Sequence, residues 1–198
     1  MLRRVTPVAV CSALLMLLAL LSGCGSLSGT NEGGYITGDG QALEYPADKR
    51  GEPVSLSGTT HTGDQLDLAD ITAKAVVVNV WWSGCGPCRT EMPMLQRLSG
   101  ELAGTAEFVG INIRDNSRES GLAFERDLGV TYPSIYSPDG RALLGFHRRL
   151  PAALPVTVVL DAERRIAGMV SGPIPSELTL TDLVECAADS NACGSTDG

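Results

Sequence analysis

Ala75-Val76-Val77-Val78-Asn79-Val80-Trp81-Trp82-Ser83-Gly84-Cys85-Gly86-Pro87-Cys88 is the stretch that decides the architecture. Its first seven residues form a β-branched, apolar run without alternation. Such a run suits a central strand covered on both faces. Ser83 and Gly84 turn the chain, and Pro87 suits the first turn of a helix. Helical sequence continues from Pro87 to about Ala103, with Gly104 as its stop. Cys85 therefore falls at a helix start, where unpaired backbone N–H groups are partly positive and favour a thiolate over a thiol. A free cysteine titrates near about 8.5, so a drop to about 7 would raise the thiolate share at neutral pH from a few per cent to half.

Two intervening residues put both sulfurs within one helical turn. Cys85, at the exposed end, can attack a substrate disulfide, and Cys88 behind it can resolve the mixed disulfide. Gly86 keeps the approach clear of a side chain, and Pro87 stiffens the backbone between the sulfurs. The Cys85–Cys88 pair is itself the expected redox group, with no separate cofactor and no metal. A structural zinc site wants four ligands, commonly two close pairs, whereas His61 and His147 stand isolated. Arg89, not histidine, follows Cys88, which excludes c-type haem attachment.

Working outward, Val54-Ser55-Leu56 and Gln65-Leu66-Asp67-Leu68 read as two short strands with Gly58 and Gly63 in the turn. Glu107 to Ile113 is a second apolar strand. Ser117 to Leu128 reads as a helix with Ser117 as N-cap and Gly129 as terminator. Phe124 and Leu128 are i,i+4 partners on its core face. Tyr132 to Tyr136 follows as a short strand and Arg141 to Phe146 as a short helix. Val156 to Leu160 and Arg165 to Val170 pair across a turn at Asp161-Ala162-Glu163-Arg164. Ser176 to Ala188 closes the domain as a helix capped by Ser176. The order β-β-β-α-β-α-β-α-β-β-α predicts an α/β fold: a central mixed sheet with helices on both faces and an N-terminal β-hairpin extension. Trp81 and Trp82 are adjacent and are expected to point to opposite faces of the strand.

The ends set the compartment. Arg3 and Arg4 precede an apolar run from Val8 to Leu21, too short to span a membrane at about 20 residues. The run closes on Leu21-Ser22-Gly23-Cys24, small residues before a cysteine, the layout of an export signal over residues 1–23. That tetrapeptide resembles the lipobox of bacterial lipoproteins, which implies lipidation of Cys24 and attachment to the extracytoplasmic face of the cell membrane. Two acyl chains meet the two-signal requirement for stable anchoring. Residues 24–50 read as a flexible tether, 51–189 as the domain and 190–198 as a C-terminal tail. Removing Arg3 and Arg4 from the 15 basic residues leaves 13 against 23 acidic, a net charge of −10 with His neutral. So acidic a chain is a poor nucleic-acid binder. Cys186 and Cys193 remain as a second close pair in an oxidising compartment. Two readings stand: a structural disulfide stapling the tail, worth somewhat under ~3 kcal/mol by chain entropy, or a second redox pair relaying electrons to Cys85 and Cys88.

Val78-Asn79-Val80-Trp81-Trp82-Ser83-Gly84-Cys85-Gly86-Pro87-Cys88-Arg89-Thr90-Glu91-Met92-Pro93 resembles the active-site segment of the thioredoxin superfamily. It is most similar to the exported, membrane-anchored thiol–disulfide branch that includes the cytochrome c maturation reductases. The resemblance implies a thioredoxin-like fold over Pro53 to Ala188. Pro93 matches the family's helix-kinking proline. Leu154-Pro155-Val156-Thr157 resembles its cis-proline loop, in which Pro155 lies against the active-site sulfurs and helps dock substrate backbone. Glu91 matches the branch's glutamate three residues past the second cysteine, and i+3 spacing puts it on the face of Cys88. Its role is either proton transfer for that thiol or that of a solvated helix carboxylate.

Two positions depart from the wider family. Asn79 stands where cytoplasmic thioredoxins carry a buried aspartate, so proton handling must lie elsewhere. Gly84 replaces the tryptophan that usually precedes the first cysteine, which implies a more open, less hydrophobic rim.

The resemblance implies an extracytoplasmic thiol–disulfide oxidoreductase, a reductase supporting cytochrome c maturation. Its expected substrates are protein thiols and disulfides such as those of apocytochrome c, with a membrane thiol transporter as electron donor. A disulfide-forming oxidase on the same fold and a non-catalytic lipoprotein binding module are the competing readings.

Overall fold

The computed structural model describes residues 41–189 and 191–193. The export signal over 1–23, Cys24 and the first part of the tether lie outside the described residues, as does most of the tail beyond 189. Strand β1 (Ala42–Glu44) is followed by a hairpin of β2 (Ser57–Thr59) and β3 (Gln65–Asp67). Then come β4 (Ala75–Trp81), helix α1 (Gly86–Glu101), β5 (Ala106–Asn112), α2 (Arg118–Leu128) and β6 (Ser134–Tyr136). The chain closes with β7 (Val156–Leu160), β8 (Ile166–Ser171) and α3 (Glu177–Ala188). Six strands form one sheet in the order β1-β8-β7-β4-β5-β6. Strand β5 runs parallel to β4 and β6, whereas β7 is antiparallel to both β4 and β8. The sheet is mixed, and the fold is thioredoxin-like.

β4 sits near the centre, and all seven of its residues are buried. Alternation sorts them by face. Val76, Val78 and Val80 join Leu56, Leu68, Phe146 and Val158 in one apolar cluster. Ala75, Val77 and Trp81 join a second cluster with Met92 and Leu95 of α1, Phe124 of α2, and Leu180 and Val184 of α3. The three α-helices thus cover one face. The other is covered by residues 54–68 and the 3-10 turn at Arg141–Phe146. Each buried valine or leucine contributes roughly 1.5–3 kcal/mol of transfer free energy, so this central strand anchors the fold from both sides.

The caps follow the sequence. Ser117 Oγ accepts the Ser120 N–H at 3.2 Å, and Ser176 Oγ accepts the Thr179 N–H at 3.1 Å. Gly129 ends α2 at φ 70°, a left-handed conformation that glycine adopts without strain.

Four details differ from expectation. Residues 42–50, read as tether, belong to the domain: β1 pairs with β8, Ala47–Lys49 forms a 3-10 turn, and Arg50 is buried. Backbone pairing and one arginine do this work, so the segment carries no hydrophobic period. The first hairpin strand lies at 57–59 rather than 54–56: Val54 and Leu56 are buried in the core cluster, and their backbone bonds to Arg164 and Leu68 fall outside the ladder. α1 ends at Glu101, and Gly104 lies in the turn beyond it at φ 89°. Finally, β4 ends at Trp81, so alternation stops there. Trp81 and Trp82 do not lie on opposite faces: both pack on the helix-covered side.

Candidate active site

Strand β4 delivers the chain to the rim of the sheet, and α1 leads away from it with Cys85 as its N-cap residue. Cys85 Sγ accepts the Cys88 N–H at 3.2 Å, the geometry in which a helix N-terminus supports negative charge on sulfur. The two sulfurs are bonded at 2.04 Å. Cys85 is 8% exposed and Cys88 0%, so an incoming thiol or disulfide reaches Cys85 first. Gly86 and Pro87 are exposed beside it, and a Cβ at Gly86 would meet open space.

Trp82 and Gly84 shape the rim. A Cβ placed on Gly84 would lie 2.5 Å from Cζ2 of the Trp82 indole. The half-buried Trp82 ring therefore occupies the space beside Gly84. The rim is apolar, not open as the absence of a tryptophan at position 84 suggested.

Glu91 projects from the first turns of α1 into the core and is 5% exposed. Its Oε1 accepts from Asn79 Nδ2 at 2.9 Å and its Oε2 from the Ile174 N–H at 3.3 Å. Burial pushes its carboxyl up from 4.5 to about 7, against the lowering effect of these two donors. It is not a solvated helix carboxylate. Asn79 also donates to Thr157 Oγ1 at 3.0 Å, so one amide links α1 to the strand that follows the proline loop. The Leu154–Pro155 bond is cis. Pro155 is buried and its carbonyl accepts the Gly172 N–H at 2.9 Å, while Leu154 packs against both core clusters.

A buried polar chain behind the site was not legible in the sequence. The Ser83 N–H donates to Asp115 Oδ2 at 3.2 Å, and Ser83 Oγ donates to Oδ1 of the same carboxylate. Asn112 Nδ2 donates to Asp115 Oδ2 at 2.6 Å. Asn112 Oδ1 meets His61 Nε2 at 3.2 Å, and His61 Nδ1 meets Glu125 Oε2 at 2.8 Å. The turn that presents Cys85 is thereby tied to α2 and to the loop of the hairpin. Burial alone would lower the His61 pKa, but Glu125, Asn112 and Asp115 together raise it above 6.5. His61 looks isolated in sequence because its partners lie 51 and 64 residues away. Trp81, its ring edge-on to His61 at 5.7 Å, stacks on Phe124 at 5.4 Å.

Other marked residues lie elsewhere. His147 Nε2 meets the Pro53 carbonyl at 3.1 Å and Arg149 donates to the Glu52 carbonyl at 2.7 Å, so both hold a loop. Cys186 and Cys193 are bonded to each other, away from the cysteines of α1. Cys24 lies outside the described residues. Among the described residues, no helix is long and apolar enough to cross a membrane.

Known proteins align with this geometry. The thiol-disulfide oxidoreductase ResA of Bacillus subtilis (strain 168) is 25% identical over 117 residues, covering 59% of this chain and 63% of the relative. The thiol:disulfide interchange protein CycY of Rhizobium leguminosarum bv. viciae is 39% identical over 80 residues, 40% of this chain and 41% of the relative. The chain thus spans less than two thirds of these relatives. A DsbF homologue from Corynebacterium diphtheriae superposes with a TM-score of 0.66 at 33% identity, covering 77% of this chain and 96% of that one. A secreted thiol-disulfide isomerase from Corynebacterium glutamicum gives 0.67 at 30% identity, over 77% and 99%. The pattern of the AhpC/TSA family matches residues 51–169, more than half of the sequence, from the hairpin into β8, and the chain belongs to that thioredoxin-superfamily family.

Proposed function

We propose that this chain is an extracytoplasmic thiol–disulfide oxidoreductase that reduces disulfides in partner proteins and supports cytochrome c maturation. The observation that carries it is the stacking of three groups along one helix. A reachable sulfur caps the N-terminus, a buried sulfur lies one turn behind, and a buried carboxyl with pKa about 7 shares the buried sulfur's face. The Cys85 thiolate attacks one sulfur of the substrate disulfide, and the electron pair of the broken bond leaves on the other substrate sulfur, which takes up a proton. Cys88 then gives its proton to the Glu91 carboxylate and attacks Cys85 Sγ. The S–S bond between Cys85 and Cys88 forms as the mixed disulfide breaks, its electron pair leaving on the second substrate sulfur, which takes up a proton so that the substrate departs as a dithiol. Pro155 borders the docking groove, and Leu154, Trp82, Gly86 and Pro87 form its walls.

A membrane thiol transporter is the electron donor in this scheme, and apocytochrome c a fitting substrate. Attachment through a lipid on Cys24 would keep both within reach. The lipobox-like leader supports an extracytoplasmic location, as does the name of the secreted isomerase from Corynebacterium glutamicum.

Redox titration of the purified domain tests the direction. Thiol–disulfide proteins of this fold span about −270 to −120 mV. A midpoint on the reducing side is expected, and one near about −120 mV would favour the oxidase reading. Insulin reduction by wild type and by Cys85→Ser separates both from a binding module, since equal turnover would remove the catalytic role.

A further inference from the structure

We propose that Cys186 and Cys193 form a second thiol–disulfide exchange site, independent of Cys85 and Cys88 and opened by a dithiol reductant. The site is built around a buried guanidinium. Arg50 Nη2 donates to Cys193 Sγ at 3.1 Å, to Cys186 Sγ at 3.4 Å and to the Cys186 carbonyl at 3.0 Å. The Arg50 side chain is 2% exposed, so water does not screen this contact. A disulfide is a weak acceptor for such a donor, whereas a thiolate is a strong one. Arg50 therefore favours the reduced pair over the bridge.

Other charged groups surround this contact. Asp161 is shared by two cations, Arg50 at 3.2 Å and Arg165 at 2.9 Å. One carboxylate cannot neutralise both. Glu163 also meets Arg165 at 3.3 Å, but it is exposed and screened by water. With the Glu44 carboxylate also beside the sulfurs these charges largely cancel, and the direct Arg50 contacts to both sulfurs distinguish the site. Glu44 brings a carboxylate oxygen within 4.8 Å of both sulfurs, close enough to exchange a proton with a thiol directly or through one water. These three side chains also have the spacing of metal ligands, yet a bound cation would face Arg50 at the sulfurs. The guanidinium on both sulfurs disfavours a cation there and leaves dithiol chemistry.

Accessibility is asymmetric, as at the first site. Cys186 is 0% exposed, while Cys193 is half-buried. An incoming thiolate attacks Cys193 Sγ. The Cys186–Cys193 bond breaks, and its electron pair goes to Cys186 Sγ, where Arg50 holds the thiolate. The reductant's second thiol then attacks its own half of the mixed disulfide and releases Cys193. Two electrons and two protons pass from the dithiol to the two cysteines, and the reductant leaves as a disulfide.

An intramolecular relay to Cys85 is excluded by the sheet. Asp161 and its partners lie beyond Leu160, which pairs with Val76 at one end of β4, and Cys85 lies beyond Trp81 at the other. Five residues of strand alone separate the ends by about 16 Å, whereas exchange requires sulfurs in contact. The second pair therefore meets its own partner.

The test uses the full chain carrying Cys85→Ser and Cys88→Ser, so it succeeds or fails separately from the function proposed above. The protein is equilibrated in glutathione and dithiothreitol redox buffers, trapped with an alkylating reagent and mapped by peptide mass spectrometry, with circular dichroism recorded in parallel. The bridge is expected to open in the folded protein, with the glutathione adduct on Cys193. Arg50→Met should shift the equilibrium about tenfold towards the disulfide, or ~30 mV, and Arg50→Lys should restore part of it. Should Arg50→Met not fold, the adduct position and the opening of the folded parent carry the test. Opening only on unfolding, an adduct on Cys186, or an unchanged equilibrium in folded Arg50→Met would each overturn the proposal.

Discussion

Replacing Glu91 with glutamine should change how stability depends on pH. The carboxyl titrates at about 7 in the folded chain against 4.5 when exposed. Each tenfold change in proton affinity is ~1.4 kcal/mol, so the difference amounts to about 3 kcal/mol. The sign follows from proton counting. Between these two values the folded chain holds a proton that the unfolded chain has released, so stability falls as pH rises through the window. The full cost is present above about 7 and absent below 4.5. Glutamine has nothing to ionise, but it offers one carbonyl oxygen where Asn79 and Ile174 both donate. That mismatch costs about 1–3 kcal/mol at every pH, so the informative quantity is the slope, not the absolute stability. Urea unfolding of the oxidised proteins from pH ~4 to ~8 measures it. Wild type should lose about 3 kcal/mol more than Glu91→Gln across that range. Parallel curves would show that the carboxylate is not held in a desolvated site and would remove it as the proton acceptor for Cys88.

Three further outcomes follow. Cys88→Ser should accumulate a mixed disulfide between Cys85 and substrate, visible on non-reducing gels, and Cys85→Ser should form none; adducts in both variants would contradict the order of attack. His61→Gln strands Glu125 without its partner, at a cost of about 3 kcal/mol for a buried pair. Because the folded pKa of His61 is raised, the pair's contribution is complete below 6.5 and fades as pH rises past the folded value; a melting-temperature difference that stays constant with pH would refute this. Gly84→Ala should push the Trp82 indole aside, destabilise by about 1–3 kcal/mol and shift tryptophan fluorescence, and an unchanged spectrum would mean the ring does not lie against position 84.

The central strand, the cysteine helix and the helix caps were readable because each rests on local chemistry: a β-branched run, a proline in a first turn, a serine before a helix. The cysteines and Glu91 could be placed on one helix face by spacing alone. What spacing could not show is burial. The i+3 relation of Cys88 and Glu91 holds for a wet or a dry face, and only Asn79 and Ile174 closing over the carboxyl decide which. Long-range polar pairs were invisible for the same reason. Ser83, Asp115, Asn112, His61 and Glu125 are ordinary polar residues in sequence, brought together by the sheet. Arg50 looked like part of a linker because a single buried arginine leaves no periodic trace.

The pairing of β1 with β8 sets an orientation. The Ser171 N–H bonds the Gln41 carbonyl, and Ser171 pairs with Val156, which directly follows Pro155. The incoming chain therefore joins the sheet at its cysteine-bearing rim, not at the Arg50 end. Gln41 follows Cys24 by seventeen positions, a leash of at most ~60 Å when fully stretched. Any group carried ahead of Gln41 is therefore attached on the side of the domain that presents Cys85.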